Sequence, residues 1–555
     1  MSGKVNIIGA GLAGLSAALT LAEGGMPCRL ISPQPSERAQ SVLAAGGINA
    51  AMNTMGQDDT PEQHAQDTLR SGAGLSDPEA VRLLTERAPR IVRRLTELGV
   101  PFYTVNGVLQ QRYFGGQKKP RTTFAESSTG KVIMTALIDA VRRYEASGLV
   151  ERLCRHEFVR LLQDPEGGCA GALIRDVRGG RLLPSAGPVI LACGGLNGLF
   201  EGRTTGTTAN TGEAAAAVFA QGVRFGSLEM IQYHPTTIGI AGKRCLISEA
   251  ARGEGGRLFV MRNGEPWYFM EEKYPELKNL MPRDVVSREC WFAVHREDCG
   301  DQVFLDMRGV SREIWQKKLP DLREEVRHYL GIDPAKEPVP VEPGIHYFMG
   351  GIDVDVRHRT NLPGLYAAGE CCCQYHGANR LGGNSMLGAI CGGMTAAEDI
   401  LASAKEAAED NPLSAGGGSA AEGSPVYDGT GASAENGPEP EEETAEATLA
   451  SACGPDFARG LSDLLYGALG IVREEETMQR AVGIIARLRE ETECPSERNR
   501  LLLGEAMLRS ALARRESRGA HARADYPERD EAFTAVMTAE VQGGAVQIGR
   551  REVSA

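Results

Sequence analysis

The chain has 555 residues, 42% hydrophobic and 24% charged, with a formal net charge of −13. That length exceeds one compact core and calls for two or three domains of soluble, globular type. The acidic balance excludes nucleic acid and anionic membrane as main partners, but leaves room for an anionic small molecule held by local arginines.

Residues 4–33 read strand, turn, helix, strand. Val5-Asn6-Ile7-Ile8 leads into Gly9-Ala10-Gly11-Leu12-Ala13-Gly14. Leu15–Glu23 has a helical pattern, and Cys28-Arg29-Leu30-Ile31-Ser32 is a second apolar strand. GxGxxG between a strand and a helix points to a dinucleotide site. Its glycines permit the tight turn, and the helix N-terminus can hold a pyrophosphate. An acid usually ends the second strand and holds the ribose; Ser32 stands there instead, which weakens a nicotinamide reading and leaves the dinucleotide open. No basic stretch and apolar run precede the first strand, so no secretory leader is expected. No apolar run is long enough to span a bilayer, so direct membrane insertion is not expected.

Two later apolar strands end in glycine turns, Pro188–Gly195 and Gly364–Glu370. Their wide separation predicts a discontinuous cofactor domain over 1–235 and 345–402, with another domain inserted over 236–344. The 13 cysteines show no CxxC or CxxCH spacing, and Cys371-Cys372-Cys373 is a run rather than a metal framework. No metal site is expected, and free thiols in odd number fit a reducing, cytosolic setting. His376-Gly377-Ala378-Asn379-Arg380-Leu381-Gly382-Gly383-Asn384-Ser385 sets a guanidinium among glycines. Backbone can approach a cofactor closely there, and arginine offers a rigid fork for a carboxylate. Residues 403–450, rich in Ser, Ala, Gly, Glu and Pro, predict a flexible acidic linker. Phe457–Glu490 and Glu497–Arg514 are helical in pattern and predict a helical domain over 451–555.

Together these pieces resemble the flavoprotein subunit family of succinate dehydrogenase and fumarate reductase, which also contains L-aspartate oxidase. The resemblance rests on Gly9–Gly14, Ala44-Ala45-Gly46-Gly47, Gln232-Tyr233-His234-Pro235-Thr236, Ser248–Gly256, Pro282-Arg283-Asp284, His346–Gly351, His376–Ser385 and Arg515–His521. It implies an α/β chain: a Rossmann-like FAD-binding domain, an inserted α+β capping domain and a C-terminal helical domain. A dicarboxylate is expected between the first two. The same resemblance sets Gly9, Ala10, Gly11, Leu12, Ala13 and Gly14 at the pyrophosphate and Ser32 near the ribose. Ser41, Ala45, Gly46 and Gly47 approach the flavin ring, with Ala192, Gly194, Glu213, Glu370, Arg380, Ser385 and Met386 completing the cofactor contacts.

Reducing a C=C bond flanked by carboxylates needs a hydride, an acid, and groups that hold the carboxylates. The resemblance implies His234, Ser248, His346 and Arg380 around the two carboxylates. His234, His346 and Arg380 would also stabilise charge developing on a carboxylate. Arg283 matches the family's proton donor, reprotonated through Glu249 and Arg252. A guanidinium with a pKa above ~12 donates a proton only if desolvated and promptly reprotonated. Glu249 and Arg252 stand three apart and can face the same way on a helical turn. Outside the family pattern, these residues would read as structural ion pairs. His376 is expected to support Arg380, and His521 to anchor the tail.

Membrane-bound members attach FAD through a histidine before the Ala-x-Gly-Gly motif. Gln40 stands there, and no histidine precedes His64. FAD is therefore expected to be noncovalent, which favours fumarate reduction over succinate oxidation. L-aspartate oxidase, the rival reading, needs a carboxylate for its substrate's ammonium. The family places that Glu where this chain has Phe114, in Tyr113-Phe114-Gly115-Gly116-Gln117. A flavin-binding protein that had lost turnover would have lost Arg283, His346 or Arg380 first, and all three are present. Electrons must come from an iron–sulfur partner subunit or a soluble donor. Any membrane association of this cytoplasmic chain would run through a partner.

Overall fold

The computed structural model describes residues 3–125, 128–240, 242–410 and 455–553. A five-stranded parallel sheet forms its base, in the spatial order Leu365–Ala367, Val189–Leu191, Val5–Ile8, Cys28–Ser32, Val150–Cys154. Val5–Ile8 is central and buried along its length. That fits a strand covered on both faces, which reads as a continuous apolar run rather than an alternation. The helix Leu12–Glu23 packs on it through Leu15, Leu19 and Ala22. A second helix, Asn384–Asp410, crosses the first at close range: a Cβ on Gly393 would lie 2.2 Å from the Ala13 carbonyl oxygen. This helix runs eight residues into the stretch expected as linker, and residues 411–454 lie outside the described ones.

The inserted region is built on a six-stranded sheet. Its strands Ile231–Ile240 and Val339–Phe348 pair antiparallel, with a register shift between His234 and Thr237. Pro235 lies in that gap and has no N–H to give a ladder. The expected boundaries at 235/236 and 344/345 thus fall inside two continuous strands. The helix Arg283–Val294 covers the sheet over the strands Ile231–Ile240 and Cys299–Asp306, and its Val286, Cys290 and Ala293 share a core with Ile238, Val303 and Leu305. Its N-terminal residue, Arg283, points back to the mouth between the two regions.

C-terminal helices form at Pro455–Ala468, Glu475–Glu491 and Pro495–Ala513. Their buried Leu465, Ile485, Leu503 and Met507 share a core with Phe219 and Phe225 of the cofactor region. The tail is not helical throughout. Ala535–Gln542 and Ala545–Glu552 make an antiparallel hairpin that pairs with Phe225–Gly226. Gly543 and Gly544, at φ 58° and 78°, supply the left-handed turn.

Candidate active site

One wall begins at the turn after Val5–Ile8. Gly9 has φ 116°, and a Cβ there would sit 2.2 Å from the Ala192 carbonyl oxygen. A Cβ on Gly14 would sit 1.9 Å from the Gly9 carbonyl oxygen. Only glycine fits either place. The helix Leu12–Glu23 starts at Gly11 with no side-chain cap and no acid in its first turn. Its positive end is therefore open to an anion. Leu12 N donates to Ser41 Oγ at 3.3 Å, tying the helix to the segment before Ala45-Gly46-Gly47.

A cleft of about 2370 Å³ opens here. Gly9, Ala10, Gly11, Leu12, Ala13, Ser32, Ser41, Ala45, Gly46, Gly47, Ala192, Gly194, Glu213, Glu370, Ser385 and Met386 line it. Gly14 does not; its bare α-carbon lets the helix lie against the turn. A glycine-walled cleft this long, with an open helix start, fits a flavin dinucleotide.

The same cleft is lined at its other end by His234, Ser248, Glu249, Arg283, His346, Arg380 and Phe114. Arg283 donates from Nε and Nη2 to Glu249 Oε2, at 3.0 and 2.7 Å, and from Nη1 to Gln232 Oε1 at 3.2 Å. Arg252 stands behind the wall, 3.6 Å from Glu249 Oε1, with its Nη1 donating to the Asn279 carbonyl at 2.6 Å. The Gly115 amide also donates to Glu249 Oε1, at 3.1 Å. His234 and His346 meet edge-on with ring centroids 5.3 Å apart. Thr205 Oγ1 lies 2.8 Å from His346 Nδ1 and orients that ring. The Arg380 guanidinium lies 4.4 Å above the Tyr347 ring. His234 Nε2 and Arg380 Nε are buried without a partner. Unpaired donors of this kind suit an anionic ligand between them.

Burial, reinforced by Arg283 and other nearby cations, holds His234 and His346 well below the ordinary imidazole range. Burial would raise Glu249, but Arg283 and Arg252 overrule it and pull the carboxyl down to about 2. Burial, aided by Arg283, lowers Arg380 to about 9. Burial lifts Glu370 to about 7, against the Phe348 amide that donates to its Oε1 at 3.1 Å. Arg380 and Glu370 are thus moved toward neutral pH, whereas Glu249 and the two histidines are moved away from it.

Sequence reasoning quoted Gln232 inside a motif without giving it a role. Its Nε2 donates to Asn379 Oδ1 at 2.8 Å and to the Arg380 carbonyl at 2.9 Å, while its Oε1 receives Arg283. Asn379 Nδ2 in turn donates to Asp284 Oδ1 at 2.8 Å. Tyr347, inside the motif His346–Gly351, and Thr205 likewise have no role in the sequence reading; an aromatic or a threonine carries no signal until a partner is seen. His376 lies outside the cleft, edge-on to Tyr347 at 5.3 Å. His521 is far along the tail, where Arg473 Nη1 meets its Nδ1 at 2.7 Å.

A family model described as FAD binding domain matches residues 4–386, and one described as Fumarate reductase flavoprotein C-term matches residues 492–555. The chain is 35% identical to the succinate dehydrogenase flavoprotein subunit of Bacillus subtilis, over 95% of this chain and 92% of that one. It is also 35% identical to L-aspartate oxidase of Caulobacter vibrioides, over 94% of this chain and 93% of that one. A point variant of FrdA from E. coli quinol fumarate reductase superimposes with TM-score 0.82 at 29% identity, covering 99% of this chain and 96% of that one.

Proposed function

The chain belongs to the FAD-dependent succinate dehydrogenase and fumarate reductase flavoprotein family, which includes L-aspartate oxidase, and from that premise we propose that it works as a fumarate reductase. The carrying observation is the pairing of Glu249. Its oxygens are taken by Arg283 and the Gly115 amide, with Arg252 close by, and its carboxyl is held down to about 2. Glu249 is thus not left for the ammonium of L-aspartate, and the neighbouring wall is the Phe114 ring. The identities to succinate dehydrogenase and L-aspartate oxidase are equal, so they do not choose between the two.

Bound FAD supplies the hydride. His234, Ser248, His346 and Arg380 hold the two carboxylates, and Arg380 and the histidines polarise them as negative charge develops. Arg283 delivers the proton to the second carbon and recovers it through Glu249 and Arg252. Gly9–Ala13, Ser32, Ser41, Ala45–Gly47, Ala192, Gly194, Glu213, Glu370, Ser385 and Met386 hold the cofactor, and Gly14 lets its helix approach. Gln40 Oε1 accepts the Thr207 amide at 2.6 Å. A carboxamide is no nucleophile, so FAD stays noncovalent.

Among the described residues no His, Cys, Asp and Glu group could hold a metal ion, and no helix is long and apolar enough to cross a membrane. The electrons come from an iron–sulfur partner subunit or a soluble donor, and the chain works in the cytoplasm or against a membrane through that partner. The test is anaerobic: fumarate is added to chemically reduced protein and L-aspartate to oxidised protein, while the flavin band is followed. Rapid reoxidation by fumarate with no bleaching by L-aspartate is expected. Bleaching by L-aspartate would make the chain an L-aspartate oxidase.

A further inference from the structure

Arg112, on the short strand Gln111–Arg112, stands directly behind the flavin-facing wall and has no part in the reading above. Its Nη2 donates to the Gly46 carbonyl. Its guanidinium carbon lies 4.2 Å from the Phe124 ring centroid and 5.5 Å from that of Phe114. Its Nε is buried and unpartnered. Among the described residues no carboxylate lies within ion-pair distance of it, and Glu254 acts on it only from further off. A cation seated on a carbonyl and two ring faces keeps its positive charge, and a low-dielectric setting carries that charge across the wall.

Arg112 also anchors a strap. A Cβ on Gly46 would lie 2.9 Å from the Phe114 ring, and one on Gly382 would lie 3.0 Å from it. Phe114 is thus wedged between the loop before the flavin and the loop after Arg380. One residue on, the Gly115 amide holds Glu249. Gln117 Nε2 closes the strap on Asn49 Oδ1 at 3.0 Å and on the Gly382 carbonyl at 2.9 Å.

We propose that Arg112 is a positioning residue that raises the flavin's reduction potential and aligns the Gly46-Gly47 loop with Glu249. Flavin gains negative charge on reduction, so a fixed cation behind Gly46 favours the reduced form. The alignment half rests on the proton-relay role given to Glu249; the potential half rests on the proposed place of Gly46 and Gly47 at the flavin ring.

The test uses holoenzyme carrying Arg112→Gln or Arg112→Lys. Flavin potential is read by equilibration with a redox dye, beside kcat and KM for fumarate. R112Q is expected to lose about tenfold in its preference for reduced over oxidised FAD, which is about 30 mV for a two-electron couple. Its kcat falls about tenfold, with KM within twofold. R112K keeps the charge but not the planar fork, so it holds the native potential while kcat stays low. A native potential in R112Q overturns the proposal, as does an R112K potential as low as that of R112Q. If R112Q loses its flavin, Arg112→Met, which also removes the charge, takes its place: a tenfold shift supports the charge role and a native potential overturns it. Dye equilibration involves neither fumarate nor L-aspartate, so its outcome is independent of which substrate the enzyme takes.

Discussion

Glu249 joins the inserted region to the chemistry. Burial alone would neutralise it, yet two arginines keep it ionised, so in the proposed relay the proton leaves from a guanidinium. Arg283→Lys replaces a fork that spans Glu249 and Gln232 with a single ammonium. We expect kcat to fall at least about a hundredfold while the bound flavin spectrum is unchanged. Retained turnover would end the proton-donor role. His234 and His346 are held neutral by burial and nearby cations. The kcat/KM profile for fumarate should therefore show no inflection from them near pH 6.5, the ordinary imidazole value. An inflection there that His234→Gln abolishes would contradict this assignment.

At the scale of elements, the helix Arg283–Val294 and the loop bearing Arg380 are fastened by a polar chain from Arg283 through Gln232 and Asn379 to Asp284. Asn379→Ala leaves Gln232 and Asp284 short of a partner inside the protein. The expected cost is about 1–3 kcal/mol of stability. A loss of kcat/KM on the order of tenfold or more should accompany it, because Gln232, which bridges Arg283 and the Arg380 carbonyl, loses the contact that fixes its carboxamide. Thermal melts and steady-state kinetics of the variant check both; native kinetics would show that the fastening does not position the site. The C-terminal hairpin shows what pattern reading overlooks. Gly543-Gly544 between two alternating stretches is a hairpin signal, but the helical periodicity before it is stronger and predicts a helical class for the whole tail.

Across the whole molecule, His64, His234, His346, His358, His376 and His521 all have imidazoles lowered by burial. The unfolded chain takes up protons near pH 6.5 and the folded one resists until lower pH, to about 4 for His64 and His358. Stability from these groups is thus fully present above pH 6.5 and falls as pH drops toward 4. The unfolding temperature should drop clearly from pH 7 to pH 5; a flat profile would mean that these histidines are charged in the fold. Acid precipitation should release all the flavin into the supernatant, whereas flavin retained on the chain would contradict the noncovalent reading.

Local motifs in the sequence were enough to reveal the family, the FAD dependence and the α/β class. A GxGxxG turn or a Gly-Ala-Asn-Arg loop owes its composition to backbone contacts that few other residues allow. The residues proposed for chemistry were legible for the same reason, since charged groups destined for burial sit in motifs that leave little freedom. What the tertiary structure alone decided is which of them meet. Gln232, Asn379, Tyr347 and Arg112 acquire meaning only when segments up to 148 residues apart in sequence pack together. The direction of each pKa shift likewise depends on burial and on neighbours distant in sequence, which no local pattern encodes.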